Sequence, residues 1–377
     1  MNLKFMARQM AKMIIQHLIL PVSYGAAKKN EIKAGRFIFA DAHHDSRPES
    51  MDRLFWYLKR EQEEGGREYE ILEFYRDFGK LSASAQLRES VSFMKLYATA
   101  GAVILCDNFL PVSSCKKRPE TKVIQLWHGA GAFKKFGYDA PDDIPAYYKG
   151  NVFANYDVVT VSAPKCIGPF QSAMRQPEGV VRATGIARMD AWKDEAHLKQ
   201  CREAFLRNYP DAAGKKVLLW APTFRGNAGV PRLEGLAELK RAAEELGDEW
   251  YLIISLHPHL LTYADYASYR QPMGTMEILP CADLVITDYS SILYDASLLQ
   301  KRLLLFMPDA KLYEEDRGFY MQPAEIPAER VLDPKDLSDA IEKTWKEYDF
   351  DRQNAFCMSY LSACDGQACS RIAAFLH

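Results

Sequence analysis

Short apolar runs alternate with amphipathic, helix-like segments along almost the whole of this chain. The runs at 102–106 and 284–287 are apolar except for a terminal threonine in the second, which is typical of strands buried on both faces. Between such runs, segments such as 51–62 and 85–98 repeat their apolar residues with the period of a helix. This alternation predicts an α/β fold in which helices cover both faces of parallel sheets.

The predicted elements form two series, one in each half of the chain. Strands are predicted at 36–40, 69–74, 102–106, 122–127 and 157–161, and then at 217–220, 251–256, 284–287 and 303–306. Helices are predicted at 51–62, 85–98, 146–155, 165–174, 196–208, 235–246 and 290–299. Two such series predict two Rossmann-like, doubly wound domains that face each other across a cleft. We expect these domains at 31–187 and 188–350, with a helical tail at 351–377 that crosses back to the first domain.

The composition narrows the classes of function. The 377 residues are 48% apolar, which is enough for real cores, and the net charge of −2 argues against a nucleic-acid partner. The eight cysteines form no Cys-x-x-Cys pair, so a zinc site is disfavoured. Scattered thiols in a large α/β chain fit a protein of the reducing cytosol better than a disulfide framework. We therefore expect the cysteines to be buried and free.

Residues 1–30 show the pattern of an amphipathic helix. Basic residues recur every fourth position along one face, and apolar residues occupy the opposite face. The residues that define the two faces are Lys4, Arg8 and Lys12, and Met6, Met10 and Ile14. This pattern predicts an interfacial helix that holds the protein at the cytoplasmic face of the cell membrane. An ordinary helix packed on the first domain and a secretory signal peptide are the alternatives.

The end of the predicted strand at 284–287 carries a high density of polar groups. The residues concerned are Thr287, Asp288, Ser290 and Ser291. A helical pattern begins directly after them, and backbone N–H groups at a helix start are unpaired and favour negative charge. The segment therefore predicts a phosphate-binding site, with simple capping of the helix as the alternative.

Three further predicted strands end in residues that suit an anionic ligand. The residues that follow these strands are His128, Gly129, Thr223, Arg225 and His257. Ligands of open α/β sheets bind outside the carboxyl ends of the strands. We therefore expect the four strand ends to form one polyanion-binding site that contains acid–base groups.

The residue types at these ends indicate what each one does. Histidine titrates near neutrality, so His128 is a candidate base for a hydroxyl, and His257 is a candidate donor to a phosphate or a leaving group. Arg225 presents a planar fork that suits a phosphate, and Arg317 beside Gly318 offers a second one. No cofactor and no metal site is predicted, while assistance by Mg²⁺ stays open.

Residues near the first-series strand ends are candidates for contacting a second substrate. Asp107 and Asn108 follow the strand at 102–106, and Lys134 and Lys135 lie just beyond Gly129. We assign these five residues to the acceptor side of the predicted site.

Five ordered motifs resemble those of a known family. They are, along the chain, His128-Gly129, the run 221–225, His257-Pro258, the run 287–291 and the run 317–320. In this order they resemble the CDP-glycerol glycerophosphotransferases of wall teichoic acid synthesis. The short length and the basic amphipathic N-terminus look most like the teichoic acid glycerol-phosphate primases of that family.

The resemblance implies a fold, a reaction and a set of roles. The fold is GT-B-like, with CDP-glycerol held mainly by the C-terminal domain. The implied general base is His128, and the implied contacts of the donor's phosphates are His257, Arg225, Ser290, Ser291 and Arg317. The implied acceptor is ManNAc-GlcNAc on undecaprenyl diphosphate, at the inner leaflet of the membrane, and CMP is released.

Other functions fit the same motifs. A short glycerophosphotransferase that adds later glycerol-phosphate units would carry them, and so would a GT-B glycosyltransferase that uses a nucleotide sugar. Outside the enzymes, the alternative is a non-catalytic, membrane-bound nucleotide-binding protein.

Overall fold

The computed structural model describes residues 10, 12–66, 68–140, 143–144, 148, 150–226 and 231–377. The chain divides into two compact units, which are described separately below. Unit 1 consists of the residues up to His128, Phe136–Asp190 and Ala363–His377. Unit 2 consists of Gly129–Lys135 and Ala191–Ser362.

Unit 1 is built on a parallel sheet with the strand order β2-β1-β3-β4-β5-β6. The strands are β1 (Lys33–Asp41), β2 (Glu70–Tyr75), β3 (Ala100–Leu105), β4 (Lys122–Gln125), β5 (Val158–Thr160) and β6 (Val181–Arg182). Every residue of β3 and β5 is buried, because helices cover both faces of the sheet. Since β1, β3 and β4 are neighbours, their carboxyl ends lie side by side at one edge.

Unit 2 is built on a second parallel sheet with the order β11-β10-β9-β7-β8. The strands are β7 (Lys216–Trp220), β8 (Trp250–Ile254), β9 (Leu284–Thr287), β10 (Arg302–Phe306) and β11 (Glu329–Val331). β9 lies between β7 and β10, although β8 precedes it in the chain. The carboxyl ends of β7, β9 and β10 therefore meet at one edge of this sheet.

The helices are numbered along the chain. Those up to Ala173 are α1 (Leu20–Ala27), α2 (Glu49–Gly65), α3 (Ala83–Tyr97), α4 (Leu110–Ser113) and α5 (Ile167–Ala173). Those that follow are α6 (Glu195–Asn208), α7 (Leu236–Leu246), α8 (Thr275–Ile278), α9 (Ile292–Leu298), α10 (Ala310–Arg317), α11 (Leu337–Glu347), α12 (Phe350–Tyr360) and α13 (Ala368–Ala373). The cores form where buried apolar helix faces pack on the sheets, as Met51, Leu54 and Leu58 of α2 do in unit 1.

Each predicted strand is present, but one predicted helix is wrong in its described part. Residues 150–155 of the helix predicted at 146–155 form turns. Gly150 has a φ of 102° and Asn155 a φ of 74°, and these left-handed conformations cannot continue an α-helix. The short strands β6 and β11 lie outside the predicted strands, because two or three residues are too few to show a period.

The helical N-terminal segment packs one side against the rest of unit 1. A π-helical turn at Ile15–Ile19 leads into α1, and the Tyr24 ring of α1 lies 5.0 Å from that of Tyr97. Gln16 is buried and hydrogen-bonds Tyr148. Of the residues assigned to the amphipathic pattern, Lys4, Met6 and Arg8 lie outside the described residues. Among the described helices, none is both long enough and apolar enough to cross a bilayer.

The end of the chain contributes to both units. α12 belongs to unit 2, whereas Ala363–His377, including α13, belongs to unit 1. Asp190 accepts hydrogen bonds from the first amides of α13, at 3.0 Å from Ala368 and 2.8 Å from Cys369. A carboxylate in this place satisfies unpaired N–H groups and complements the helix dipole.

Candidate active site

Asp107, Asn108 and His128 lie close together at the carboxyl-end edge of the unit 1 sheet. Asp107 and Asn108 follow β3, and His128 follows the neighbouring strand β4. Nδ1 of His128 is 3.5 Å from Oδ2 of Asp107, and the His128 side chain is 53% exposed. An imidazole beside a carboxylate at an open sheet edge has the arrangement of a general base and its partner.

The backbone turns sharply just before His128. Trp127 has a φ of 59°, which is uncommon for any residue other than glycine. Its ring stacks on that of His128, with 4.5 Å between centroids and 29° between planes. Backbone strain of this kind concentrates at functional sites, where the surrounding structure maintains it.

A second aspartate–histidine pair lies on the neighbouring strand and is absent from the predicted site. Asp41 ends β1 and is 2% exposed. Its Oδ2 accepts hydrogen bonds from the backbone N–H of His43 at 2.7 Å and of His44 at 2.8 Å. The same oxygen is 2.8 Å from Nδ1 of His44. The sequence does carry the signal, since Asp41-Ala42-His43-His44 follows an apolar strand just as His128 does.

Three strand ends of unit 2 meet around Arg225. Nε and Nη2 of Arg225 donate to the Asp309 carboxylate after β10, at 2.5 and 3.0 Å. Nη1 donates to Oδ2 of Asp288 after β9 at 2.9 Å, and to the Thr223 carbonyl at 2.6 Å. These hydrogen bonds occupy the guanidinium N–H groups that would otherwise donate to a phosphate. In this structure Arg225 therefore links the three strand ends to one another. Its contact with a donor phosphate stays a prediction.

Arg225 and Asp309 each favour the charged form of the other. Burial alone would raise the pKa of Asp309, but hydrogen bonds and charge from Arg225 outweigh it and lower that pKa. Burial likewise opposes charge on Arg225, and the two carboxylates raise its pKa instead. Asp309 is missing from the predicted site, although Met307-Pro308-Asp309 directly follows an apolar strand.

Thr287 and Asp288 connect β9 to the segment after β7. Thr287 is buried, and its hydroxyl donates to the Ala221 carbonyl at 2.7 Å. Oδ1 of Asp288 accepts from the amides of Thr223 at 2.9 Å and Tyr289 at 2.6 Å. These contacts align two strand ends, as buried polar groups with partners commonly do.

Ser290 and Ser291 are half-buried at the start of α9. Oγ of Ser290 accepts from the Ile292 amide at 3.4 Å, which is a weak capping contact. Gly129 lies against Ser291, because a Cβ built on Gly129 would come within 3.2 Å of Oγ of Ser291. Gly129, which was assigned to the acceptor side, therefore lies beside Ser291 within unit 2.

The segment after Gly129 pairs with the segment after α10. The Lys135 amide donates to the Gly318 carbonyl at 3.1 Å, and the Tyr320 amide donates to the Phe133 carbonyl at 2.8 Å. Nε of Arg317 donates to the Lys135 carbonyl at 3.1 Å. The acceptor-side candidate Lys135 and the donor-side candidates Arg317 and Gly318 are therefore direct neighbours.

His257 is held as a neutral imidazole. Desolvation, the neighbouring His259 and the charge of Lys134 lower the pKa of His257 to about 4. Nδ1 of His257 accepts a hydrogen bond from the His259 amide at 3.2 Å, so the proton of the neutral ring is on Nε2. This tautomer can donate to a phosphate oxygen at neutral pH, although the ring carries no charge.

Each unit presents groups of the kind that phosphoryl transfer uses. Phosphoryl transfer needs mainly positioning and neutralisation of spreading negative charge. Unit 1 presents an exposed imidazole beside a carboxylate. Unit 2 presents the imidazole of His257, whose pKa the charge of Lys134 helps to lower, and the Arg317 guanidinium bound to the Lys135 carbonyl. Within the described residues, no group of three or more histidine, cysteine, aspartate or glutamate side chains is arranged to hold a metal ion.

The two parallel Rossmann-like sheets, with polar residues at their carboxyl ends, define a fold of the GT-B-like class. The wall teichoic acid polymerase TagF has the same fold, with a TM-score of 0.75 at 18% identity over 99% of this chain and 96% of that chain. The chain belongs to the CDP-glycerol:poly(glycerophosphate) glycerophosphotransferase family, whose sequence profile matches residues 23–377. The predicted α/β, GT-B-like fold and the predicted family are confirmed.

Relatives of known name include both primases and polymerases. The chain is 32% identical over 317 residues to the teichoic acid ribitol-phosphate primase of Bacillus spizizenii and covers 80% of both proteins. It is 30% identical over 230 residues to the teichoic acid glycerol-phosphate primase of Bacillus subtilis, over 57% of this chain and 58% of that protein. It is 29% identical over 369 residues to the teichoic acid poly(ribitol-phosphate) polymerase of Bacillus spizizenii and spans 57% of that longer protein.

Proposed function

We propose that this protein transfers glycerol phosphate from CDP-glycerol to ManNAc-GlcNAc-diphospho-undecaprenol and releases CMP. This reaction is the priming step of wall teichoic acid linkage-unit synthesis. Family membership supports the reaction class, and the likeness to two teichoic acid primases supports the priming step. The observation that carries the proposal is the exposed imidazole of His128 at the end of β4, beside the Asp107 carboxylate.

In the proposed reaction His128 acts as the general base. Its imidazole takes the proton of the acceptor's sugar hydroxyl while that oxygen attacks the phosphorus that bears glycerol. The new P–O bond forms as the bond from this phosphorus to the CMP oxygen breaks, and CMP leaves with the electron pair. Nε2–H of His257 donates to a phosphate oxygen, and Lys134 and Lys135 offset the charge that spreads over the phosphates.

A ribitol-phosphate donor is the second candidate. The observation that favours it is the 32% identity to a ribitol-phosphate primase, over 80% of both proteins. The bonds made and broken would be the same, because CDP-ribitol differs from CDP-glycerol only in its polyol. The part of the site that contacts the polyol would decide between the two donors.

A donor panel tests the substrate. The purified protein would receive vesicles that contain the lipid-linked disaccharide, together with CDP-glycerol, CDP-ribitol or UDP-sugars in parallel, and products would be identified by mass. One added glycerol phosphate supports the proposal, and one added ribitol phosphate supports the second candidate. A ladder of units would identify a polymerase, and transfer of sugar alone would exclude both candidates.

His128→Gln tests the base. Turnover is expected to fall by about 10²–10⁴-fold, while CDP-glycerol binding measured by calorimetry stays unchanged. His377→Gln is the matched control, because this unit 1 histidine contacts Tyr69 and Glu61 instead. Unchanged turnover in His128→Gln would remove His128 from its proposed role.

We also propose that the N-terminal helix holds the protein at the cytoplasmic face of the membrane. Four large apolar side chains recur every fourth residue and form an exposed stripe. They are Met10 (61% exposed), Ile14 (52%), Leu18 (60%) and Val22 (63%). An acceptor with a polyprenyl tail stays in the bilayer, so an enzyme that uses it must dock at that surface.

A charge substitution in this stripe tests the membrane proposal. Ile14→Glu combined with Leu18→Glu should abolish flotation with anionic vesicles, yet leave turnover on a short-tailed soluble acceptor unchanged. Leu206→Glu combined with Met358→Glu is the matched control, since these side chains are 55% and 77% exposed in unit 2. Equal flotation of the two double variants would rule out the stripe as the anchor.

A further inference from the structure

A single buried amide connects the two loops that carry Asp107 and His128. Gln125, the last residue of β4, is completely buried. Its Nε2 donates to the Asp107 carbonyl at 2.9 Å and to the Tyr156 hydroxyl at 3.1 Å. Its Oε1 accepts from the Trp127 amide at 3.0 Å. Both ends of the amide therefore hold the Asp107 loop against the turn that presents His128.

The side chains of Asp107 and His128 are both restrained at their point of contact. Oδ1 of Asp107 accepts a 2.6 Å hydrogen bond from the Asn108 amide, which orients the carboxylate. Its Oδ2 lies 3.5 Å from Nδ1 of His128. The imidazole ring of His128 also stacks on the Trp127 ring, which restrains its orientation. Contacts of this kind are often long in substrate-free enzymes and shorten when substrate binds.

We propose that Asp107 is a positioning residue that orients the imidazole of His128. The proposal rests on the proposed function, in which His128 is the general base. Asp107 accepts the Nδ1–H of the neutral imidazole, and the lone pair on Nε2 is then available to the acceptor's hydroxyl. This role differs from direct contact with the acceptor, to which the sequence pattern assigned Asp107.

The carboxylate also has a role after the proton has moved. When the hydroxyl proton reaches Nε2, the ring becomes an imidazolium whose Nδ1–H still donates to Asp107. The negative carboxylate then faces the new positive charge and stabilises it. After CMP has left, the proton passes from Nε2 to solvent. An asparagine at 107 reverses this arrangement, because its NH₂ group donates to Nδ1 and favours the tautomer with the proton on Nε2.

Asp107→Asn tests the proposal by two independent measurements. With ¹⁵N-labelled histidine, NMR of the wild type should show His128 protonated on Nδ1, and the variant should show it protonated on Nε2. The value of kcat is expected to fall by roughly 10- to 100-fold, with unchanged KM for donor and acceptor. His128→Gln assigns the His128 signals by their loss.

Asp52→Asn is the matched control. Asp52 is a unit 1 carboxylate that is 48% exposed and hydrogen-bonds Arg47, so its substitution should change neither kcat nor the His128 tautomer. An unchanged tautomer in Asp107→Asn would overturn the proposal. An increased acceptor KM with unchanged kcat and tautomer would also overturn it, in favour of acceptor contact. The tautomer measurement needs no turnover, so it still reports on Asp107 if His128→Gln shows that His128 is not the base.

Discussion

The guanidinium of Arg225 donates two parallel hydrogen bonds to the carboxylate of Asp309, 84 residues further along the chain. A third bond joins the same guanidinium to Asp288. Bidentate pairs of this kind are strong and geometrically specific. Because the three residues follow β7, β10 and β9, the cluster holds three strand ends of unit 2 in one arrangement.

Removing the Arg225 guanidinium should destabilise the protein strongly. Arg225→Ala leaves Asp288, whose side chain is 4% exposed, as a buried charge without its arginine. We expect the free energy of unfolding to fall by about 3–5 kcal/mol, measured by urea denaturation, and Arg225→Lys to recover only part of that loss. Arg88→Ala is the control, because this side chain is 74% exposed and its pair with Glu89 contributes little. Equal losses in the two alanine variants would contradict this account.

The contribution of Asp309 to stability should depend on pH. Its pKa is lowered in the folded protein, since the hydrogen bonds and charge of Arg225 outweigh burial. The stabilisation is therefore present above the unfolded pKa of about 3.9 and is lost as pH falls through the lower folded pKa. Urea denaturation should show a larger difference between wild type and Asp309→Asn at pH 7 than at pH 3. The same difference at both pH values would show that the charge of Asp309 is not involved.

A side chain at position 131 should not be tolerated. Gly131 has a φ of 67°, and a Cβ built on it would come within 1.9 Å of Cζ in the Tyr294 ring. Gly131→Ala is expected to lower the free energy of unfolding by about 2–4 kcal/mol, because the conformation is unfavourable and the ring must move. Gly168→Ala is the control, since a Cβ there meets nothing within 4 Å and the residue lies in α5. A stable Gly131→Ala protein would mean that the Tyr294 ring moves without cost.

His257 should titrate far below an ordinary histidine. NMR titration is expected to give a midpoint near pH 4, because desolvation, His259 and Lys134 lower its pKa. The pKa of a histidine in the unfolded chain is about 6.5, so the unfolded chain binds this proton more readily than the folded protein does. His257 therefore lowers the free energy of unfolding as pH falls from about 6.5 towards 4. Lys134→Met should raise the midpoint, whereas Lys199→Met, at an exposed pair with Glu203, should leave it unchanged. A midpoint near 6.5 in the wild type would refute the proposed environment.

Local sequence patterns located β1–β5 and β7–β10, and they missed the short strands β6 and β11. An apolar run followed by polar residues located the ends of β4, β7, β8 and β9 within a few residues. The same pattern at Asp41 and Asp309 was equally readable and was missed. Gly150-Asn151 is a turn signal that the helix prediction at 146–155 overlooked, whereas nothing in the local sequence marks the left-handed conformation of Asn155.

The order of residues along the chain determined that this protein builds parallel α/β sheets. Strands that are buried on both faces require continuous apolar runs, and the helices between them require an amphipathic period. Only the tertiary structure decided which strand ends meet. Packing places β9 between β7 and β10, and this order brings Arg225 to Asp288 and Asp309 rather than leaving it open to solvent. In the same way, the pairing of His128 with Asp107 follows from the adjacency of β3 and β4 and from the buried Gln125 between their loops. Such partners are set by long-range packing, and no local pattern in the sequence encodes them.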